Sequence, residues 1–330
     1  MPAVLVCGGA GYVGSHTVAE LVSRGYEAIV VDNLEKGHIE AVWPGAQFCQ
    51  GDLRDEEFLA GVFQKYKIGS VIHFAAYSLV SESVQNPAKY YDNNVLGAFS
   101  LLKAMLKADV SNIVFSSTAA VYGEPKVVPI LETDTTVPIN PYGETKLAIE
   151  KMFKWYEAAY GLKYAVLRYF NVAGAHPSGA IGEDHRPETH LIPIVLQAAL
   201  GKMPKMKIFG DDYPTHDGTN VRDYIHATDL ADAHILALNN LMEKNKSMTY
   251  NLGNGKGFSN LEIVETARRI TGKPIHTEIG PRRPGDPPIL VASSDQIISE
   301  LGWQPRYNSL EQIIGTAWEW HSRRPNGYEG

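Results

Sequence analysis

The chain has 330 residues and a formal net charge of −7, with 44% hydrophobic and 20% charged residues, a normal globular balance. This length allows one large domain or two ordinary ones. The acidic balance argues against a nucleic-acid partner, and no apolar run is long enough to span a membrane. The two cysteines, Cys7 and Cys49, make a disulfide framework implausible, and no signal peptide is visible, so we expect a cytoplasmic protein.

Short apolar runs alternate with helical patterns over the first half of the chain. The predicted strands are 3–9, 27–33, 69–76, 111–117 and 162–171. The predicted helices are 13–24, 54–66, 88–109 and 142–160. This alternation predicts an α/β fold with a doubly wound parallel sheet and right-handed crossovers.

The second half of the chain has a different character. After Asn171, segments rich in Gly and Pro separate short helices and strands up to residue 330. We therefore expect a main domain over 1–172 and a smaller mixed α/β lobe over 173–330. The strand-turn-helix pattern within 223–240 is expected to return to the main domain.

A glycine motif follows the first predicted strand and opens the first predicted helix. Gly8, Gly11 and Gly14 stand in the spacing G-x-x-G-x-x-G. In this context Gly8 permits a tight turn, Gly11 lets the backbone approach a pyrophosphate, and Gly14 lets the helix pack closely on the strand. The motif indicates a dinucleotide site.

Acidic residues suggest which dinucleotide is bound. Asp32 ends the second predicted strand, where a carboxylate can accept hydrogen bonds from both ribose hydroxyls and repel a 2′-phosphate, so NAD is favoured over NADP. Asp52 and Leu53 are expected to close over the adenine, the carboxylate taking its amino group and the leucine packing on the ring.

Tyr142 and Lys146 stand one helical turn apart at a predicted helix start, after Asn140-Pro141. The helix dipole and a nearby ammonium would both lower the pKa of the phenol, as a general base requires. A Tyr-x-x-x-Lys is usually an ordinary surface pair when it stands alone. Here Thr118 follows a predicted strand, at the edge where open α/β sheets bind ligands, so a hydroxyl, a phenol and an ammonium are expected to converge.

Together these motifs resemble the extended short-chain dehydrogenase/reductase superfamily, and within it the UDP-hexose 4-epimerases. Similar segments run from residue 6 to 287 and include CGGAGYVGSHT, FSSTAAVYG, YGETKLAIEKM, RYFNVAGAHPSG and RRPGDP. The resemblance implies a Rossmann NAD domain with a nucleotide-sugar lobe. It also implies a homodimer packed through two long helices, here near 93–108 and 142–160.

The resemblance also implies roles for individual residues. Tyr142 would be the general base, Lys146 would bind the nicotinamide ribose and lower the pKa of Tyr142, and Thr118 would bridge substrate and phenol. The implied NAD-binding residues are Gly8, Gly11, Tyr12, Val13, Gly14, Asp32, Asn33, Leu34, Gly37, Asp52, Leu53, Phe74, Ala75, Ala76, Ser78, Asn93, Tyr142, Lys146 and Phe170. The implied substrate-binding residues are Thr118, Tyr142, Asn171, His190, Leu191, Lys207, Ile208, Phe209, Arg222, Arg283, Asp286 and Leu290.

Four positions depart from patterns seen in well-known members of that group. Ser78 stands where some carry Lys near the cofactor, and Thr118 replaces Ser. His190 replaces Asn beside the diphosphate, and Leu290 occupies a position that differs between members of different substrate range.

The implied reaction interconverts UDP-galactose and UDP-glucose through a 4-keto intermediate, in galactose metabolism. Epimerisation at C4 of another UDP-sugar, such as UDP-N-acetylglucosamine or UDP-N-acetylgalactosamine, stays open. A nucleotide-sugar 4,6-dehydratase is disfavoured, because Ala119-Ala120 stand where such enzymes carry an acidic pair. An inactive NAD-binding regulator would have no reason to keep the hydroxyl, Tyr and Lys together.

The segment EDHRPETHL, 183–191, places Asp184, His185, Glu188 and His190 close together. This pattern is typical of either a metal cluster or a polar loop. Because Pro187 indicates a loop and no second Cys/His group accompanies it, we interpret the segment as a polar loop and expect no metal.

Overall fold

The computed structural model describes residues 2–283 and 286–329. Pro284 and Gly285 of the RRPGDP motif lie outside the described residues. The strands are β1 (Ala3–Cys7), β2 (Ala28–Asp32), β3 (Gln47–Gln50), β4 (Ile68–His73), β5 (Asn112–Ser116), β6 (Lys163–Tyr169), β7 (Asn171–Ala173), β8 (Met206–Phe209), β9 (Val221–Arg222), β10 (Tyr224–His226), β11 (Met248–Leu252), β12 (Phe258–Ser259), β13 (Thr277–Gly280) and β14 (Ile289–Leu290).

The α-helices lie between these strands and after them. They are α1 (Tyr12–Ser23), α2 (Glu56–Lys65), α3 (Val80–Gln85), α4 (Pro87–Tyr90), α5 (Gly97–Lys107), α6 (Pro141–Tyr160), α7 (Leu191–Ala199), α8 (Ala227–Lys244), α9 (Asn260–Thr271), α10 (Asp295–Leu301) and α11 (Leu310–Arg323). A π-helical turn joins α4 to α5 at Tyr91–Leu96, and short 3-10 helices occur at Ile39–Ala41, Ala119–Tyr122 and Gly327–Glu329. Within the described ranges, no helix is both long and apolar enough to cross a membrane.

The main sheet has seven strands in the order β11-β6-β5-β4-β1-β2-β3. All six pairings are parallel. Side chains of β1 alternate between two cores, with Leu5 and Cys7 on one face and Val4 and Val6 on the other. Helices therefore cover both faces, which confirms the predicted doubly wound α/β class.

The smaller lobe is built from short strands and three helices. Strand β8 pairs with β13, and β9 lies between β12 and β14. Helices α7, α9 and α11 enclose a separate core that includes Val195, Ile263 and Ile313. The lobe is thus a mixed α/β unit.

Three features differ from the sequence prediction. Strand β3 was not predicted because it has no buried side chain: two of its residues are exposed and two are half-buried, as on an edge strand. The single helix predicted over 88–109 is divided by the π-helical turn. Within 223–240, α8 packs against α1, but β10 pairs with β7, outside the main sheet, and β11 instead completes that sheet.

Candidate active site

The glycine turn after β1 is tightly packed. Gly8 has φ +81°, and a Cβ there would lie 2.6 Å from the Ala75 nitrogen. A Cβ on Gly14 would lie 2.1 Å from the Gly8 carbonyl oxygen, and Gly11 N–H donates to the same oxygen at 3.2 Å. Gly11 caps α1 without a side chain, so the turn presents backbone at the helix N-terminus, the arrangement that suits a pyrophosphate.

Two residues at the start of α1 flank this turn. Tyr12 donates from its hydroxyl to the Gly174 carbonyl oxygen at 2.5 Å, which links α1 to the loop after β7. Val13 packs partly against the core on one face of the sheet. The side chain of Tyr12 thus joins the dinucleotide turn to the smaller lobe.

Asp32 accepts hydrogen bonds from the glycine turn and from the loop after β2. Its carboxylate accepts hydrogen bonds from Ala10 N at 3.0 Å and Leu34 N at 2.9 Å. Burial raises the pKa of Asp32, although these two hydrogen bonds oppose the shift. Leu34 has φ 63°, and a Cβ on Gly37 would lie 2.9 Å from the Ala10 carbonyl carbon, so the 32–38 segment is shaped around the glycine turn.

Asp52 and Leu53, the residues expected at the adenine, have partners within the protein. The Asp52 carboxylate accepts from Arg54 N, Nε and Nη2 at 2.8, 2.9 and 2.8 Å, and from Asn33 Nδ2 at 3.1 Å. The hydrogen bonds from Arg54 lower the pKa of Asp52 well below its usual value. The Leu53 side chain is buried in the core beside Asp52, and its expected contact with a ligand ring stays a prediction. Arg54 was missed, although the DLR spacing places it beside Asp52.

The segment after β4 forms the next wall. Phe74 N and Ala75 N both donate to the Cys7 carbonyl oxygen, at 2.8 and 3.0 Å, which holds the carboxyl ends of β1 and β4 together. Ala76 is half-buried, and Ser78 is exposed in the loop that follows. Asn93 lies in the π-helical turn and donates from Nδ2 to Asn94 Oδ1 at 3.0 Å.

Thr118, Tyr142 and Lys146 are brought together as predicted from the sequence. Thr118 caps the 3-10 helix after β5, and its Oγ1 accepts from Ala120 N at 3.1 Å. Asn140 caps α6 by accepting from Gly143 N at 2.9 Å, which sets Tyr142 in the first turn and Lys146 one turn later. The Thr118 hydroxyl lies near the half-buried phenol of Tyr142 and lowers its pKa.

The expected lowering of the phenol pKa is wrong for this structure. Burial raises the pKa of Tyr142 to about 12, and the nearby Thr118 hydroxyl only partly opposes it. Burial also lowers the pKa of Lys146 to about 7. The Lys146 ammonium donates to the Ser116 carbonyl oxygen at 2.8 Å and lies 4.8 Å from the centre of the Phe115 ring. Desolvation therefore outweighs the dipole and charge effects on both groups.

Two buried networks that position these residues were not found from the sequence. Asn94 exchanges hydrogen bonds with the Tyr77 backbone at 2.8 and 3.1 Å and donates to Thr145 Oγ1 at 3.1 Å. Thr145 Oγ1 donates in turn to the Tyr142 carbonyl oxygen at 2.7 Å. Ser83 Oγ accepts from Tyr142 N at 3.2 Å. The start of α6 is thus fixed to the loop after β4.

The second network lies one turn further along α6. Glu150 accepts from Ser117 Oγ at 2.6 Å and forms a buried ion pair with Arg168 at 2.6 Å. Tyr142, Lys146 and Glu150 recur every four residues, a spacing that places all three on one helix face. That repeat was the available sequence signal for Glu150.

The smaller lobe brings Arg222 and Asp286 together. Arg222 forms an ion pair with Asp286 and donates to the Pro287 carbonyl oxygen at 2.8 Å. Arg283 lies over the Phe209 ring, with 4.2 Å between the guanidinium carbon and the ring centre. A cationic and aromatic surface therefore surrounds β8 and β9.

The side chains of β8 and of the start of α7 differ in how far they are exposed to solvent. Lys207 is exposed and lies 3.9 Å from the Glu278 carboxylate. Ile208 is buried in the core of the lobe, and its expected contact with the substrate stays a prediction. Leu191, at the start of α7, packs partly against the same core.

Leu290 and Phe170 connect the lobe with the Thr118 region. Both are half-buried and pack against the cluster that contains Ala119 and Leu147. Asn171 Nδ2 donates to the Asp223 carbonyl oxygen at 3.1 Å, which holds β7 beside β10.

His190 belongs to a cluster with Glu183, His185 and Glu188. The sequence selected Asp184 for this group, but the Asp184 carboxylate accepts from Tyr328 N at 3.1 Å instead. Burial opposes charge on His190, yet its two carboxylate neighbours raise its pKa to about 10.

The geometry defines a dinucleotide turn beside a hydroxyl, a phenol and an ammonium at one edge of a parallel sheet. The profile of the NAD dependent epimerase/dehydratase family matches residues 4–253. The chain belongs to that family.

Several relatives that match nearly the whole chain are UDP-glucose 4-epimerases. The chain is 57% identical over 325 residues to a UDP-glucose 4-epimerase of Lacticaseibacillus casei, covering 98% of each chain. It superposes with a TM-score of 0.98 on a crystal structure of UDP-glucose 4-epimerase, at 56% identity over 99% of this chain and 100% of the other. The Brucella ovis UDP-glucose 4-epimerase in complex with NAD gives a TM-score of 0.94 at 48% identity, over 96% of this chain and 98% of the other.

Proposed function

We propose that this protein interconverts UDP-galactose and UDP-glucose through a 4-keto intermediate, using tightly bound NAD, as part of galactose metabolism. The observation that carries this proposal is the convergence of Thr118, Tyr142 and Lys146 beside the glycine turn. It is supported by similarity to UDP-glucose 4-epimerases over nearly the whole chain.

The residues around the glycine turn fit NAD. Side chains at Gly8 or Gly14 would collide with neighbouring backbone and distort the turn, and Asp32 lies at the end of β2 where a ribose is expected. When bound, NAD would supply reversible hydride transfer at C4 of the sugar. Arg54 fixes the orientation of Asp52, the residue proposed to recognise the adenine.

Tyr142 moves the proton in this proposal. Its phenolate removes the proton of the sugar 4-OH, directly or through the Thr118 hydroxyl, and returns it after the sugar has turned over. Burial raises the pKa of Tyr142, and the nearby Thr118 hydroxyl opposes that shift and so favours the phenolate. Lys146 contributes by holding the nicotinamide ribose.

The smaller lobe is proposed to hold UDP. Arg222 and Arg283 provide guanidinium groups for the diphosphate, and Phe209 supports the uracil ring. Arg283 already lies against Phe209, so one unit can contact both base and phosphate. The diphosphate is bound tightly while the sugar stays free to turn.

We propose a homodimer that packs through α5 and α6. Both helices carry large apolar side chains that are exposed in the single chain, with Trp155 at 76%, Tyr160 at 62% and Phe99 at 40% relative exposure. Exposed apolar side chains of this size are typical of an interaction surface. The two cysteines are both free thiols, which fits the cytoplasm.

The decisive experiment is incubation of the purified protein with UDP-galactose, followed by separation and quantification of UDP-glucose. Accumulation of UDP-glucose to a constant ratio, approached from either sugar, is expected. A dehydrated 4-keto-6-deoxy product would instead assign the chain to the dehydratases. That outcome is disfavoured because Ala119 and Ala120 carry no group that can transfer a proton.

Epimerisation of N-acetylated UDP-sugars is the second candidate. Leu290 favours it, because this half-buried side chain of intermediate volume lies beside the Ala119 and Leu147 cluster near Thr118. A parallel assay with UDP-N-acetylgalactosamine measures this activity directly.

A further inference from the structure

A cluster of four side chains lies outside the proposed proton-transfer groups. Glu183, His185, Glu188 and His190 come from the segment that precedes α7, and one potential ligand atom from each lies within 4.8 Å of the others. The His185 ring lies 6.1 Å from the ring of Tyr12, so the cluster borders the start of α1.

The distances between the potential ligand atoms suit an ion with tetrahedral coordination. His190 Nδ1 lies 3.0 Å from Glu183 Oε1 and 2.9 Å from Glu188 Oε1. His185 Nδ1 lies 3.2 Å from Glu183 Oε1 and 3.7 Å from Glu188 Oε2. Tetrahedral Zn²⁺ with bonds of about 2.0–2.2 Å places neighbouring ligand atoms roughly 3.3–3.6 Å apart, so small adjustments convert these contacts into a coordination shell.

The donor chemistry points to zinc rather than a hard cation. Two imidazoles and two carboxylates without a thiolate form a set that Zn²⁺ accepts readily, whereas Ca²⁺ and Mg²⁺ prefer oxygen alone. The Glu183 and Glu188 side chains are only 5% and 7% exposed. His185 Nδ1 is sealed from solvent and makes no well-aligned hydrogen bond within the described part of the chain.

The surrounding structure holds the cluster in place and leaves a route to it. Gly182 N donates to the Tyr328 hydroxyl at 3.1 Å, and Tyr328 N donates to the Asp184 carboxylate at 3.1 Å. His38 Nε2 lies 3.0 Å from the Asp184 carbonyl oxygen, which ties the segment to the loop after β2. A cleft of about 460 Å³ is lined by Glu183, His185 and Glu188 and gives an ion access.

We propose that Glu183, His185, Glu188 and His190 form a Zn²⁺ site that clamps segment 183–190 between the start of α1 and α7. This proposal does not depend on the proposed reaction. In the alternative, the four side chains form a metal-free cluster of ion pairs, which satisfies the same charges but gives no stoichiometric affinity for Zn²⁺.

The test uses the NAD-containing protein after chelation and dialysis. Titration with Co²⁺, followed by visible absorption, is expected to show the strong bands of four-coordinate cobalt, saturating at one ion per chain. Zn²⁺ is expected to displace the cobalt and to raise the unfolding temperature of the wild type, because an ion that binds only the folded state stabilises it.

Two variants and a control locate the site. His185→Ala and Glu188→Gln are each expected to weaken Zn²⁺ binding by more than the roughly 10–100-fold that loss of an outer-shell partner causes. His216→Ala is the matched control, because His216 also lies near two carboxylates, at 3.7 Å from Asp217 and 3.6 Å from Glu262, but on an exposed loop. It is expected to bind Zn²⁺ like the wild type.

Each outcome decides the proposal. Absence of one-to-one binding in the wild type would overturn it, and so would unchanged affinity in folded His185→Ala or Glu188→Gln protein. Circular dichroism and NAD content show whether each variant is folded. Since Gln keeps the shape of Glu, Glu188→Gln preserves the test if His185→Ala folds poorly.

Discussion

The glycine turn and the smaller lobe are built in opposite ways. Around Gly8 and Gly14 the shape is set by backbone atoms in contact: Gly14 packs within the β1–α1 turn, and Gly8 packs against Ala75 of the loop after β4. Around Arg222 the surface is set by side chains from separate segments, joined by the ion pair with Asp286 and the stacking of Arg283 on Phe209. A backbone site tolerates almost no added atom, whereas a side-chain site can be tuned one residue at a time.

The largest expected effect lies at the junction of the two regions. Tyr142→Phe should lower kcat by about 10²–10⁴-fold, as loss of one general base does. The ring stays, so NAD content and UDP affinity should remain close to wild type. Both are measured on the same preparation, and near wild-type turnover would remove Tyr142 from the mechanism.

Gly14→Ala tests the backbone site. The added Cβ would lie 2.1 Å from the Gly8 carbonyl oxygen, so stability should fall by about 1–3 kcal/mol or more and co-purifying NAD should decrease. Gly61→Ala is the matched control in α2, since its Cβ meets nothing within 4 Å and removal of a helical Gly should stabilise by about 0.5–1 kcal/mol. Denaturant unfolding compares the two, and equal effects would contradict the packing argument.

Arg222→Ala tests the side-chain site. A hydrogen bond to a charged group contributes about 1.5–3 kcal/mol, so UDP affinity should fall roughly 10- to 150-fold while NAD content is unchanged. Arg282→Ala is the control, because Arg282 is exposed, pairs with Asp212 at 2.6 Å and stacks on Tyr213. Calorimetry with UDP should separate the two variants, and similar losses would argue against a specific role for Arg222.

Asp32→Asn asks whether charge, rather than shape, selects the cofactor. Asn keeps one oxygen to accept from Ala10 N or Leu34 N but removes the negative charge. Two charges about 4 Å apart interact by about 4 kcal/mol near a protein surface, so the preference for NAD over NADP should narrow by at least about tenfold. Competitive binding of the two cofactors measures this, and an unchanged ratio would remove the Asp32 charge from selection.

The smallest effect on the activity toward UDP-galactose is expected at Leu290, where the two regions meet. Leu290→Ala should raise activity on UDP-N-acetylgalactosamine relative to UDP-galactose by about tenfold, because it opens space for the 2-substituent. Leu290→Tyr should abolish the activity on the N-acetylated sugar and spare the other. If both variants change the two activities in equal proportion, Leu290 only packs the core.

The sequence by itself determined the parallel sheet, the glycine turn and the meeting of Thr118 with Tyr142 and Lys146. These features depend on short-range patterns, such as apolar runs, glycine spacing and the Asn140-Pro141 helix start, whose geometry is local. Only the tertiary structure decided that burial raises the pKa of Tyr142. It also decided that the Asp52 carboxylate accepts hydrogen bonds from Arg54, and that Glu183 rather than Asp184 lies beside His185 and His190. Desolvation and side-chain partners depend on atoms contributed by distant segments, so they cannot be predicted from local sequence patterns.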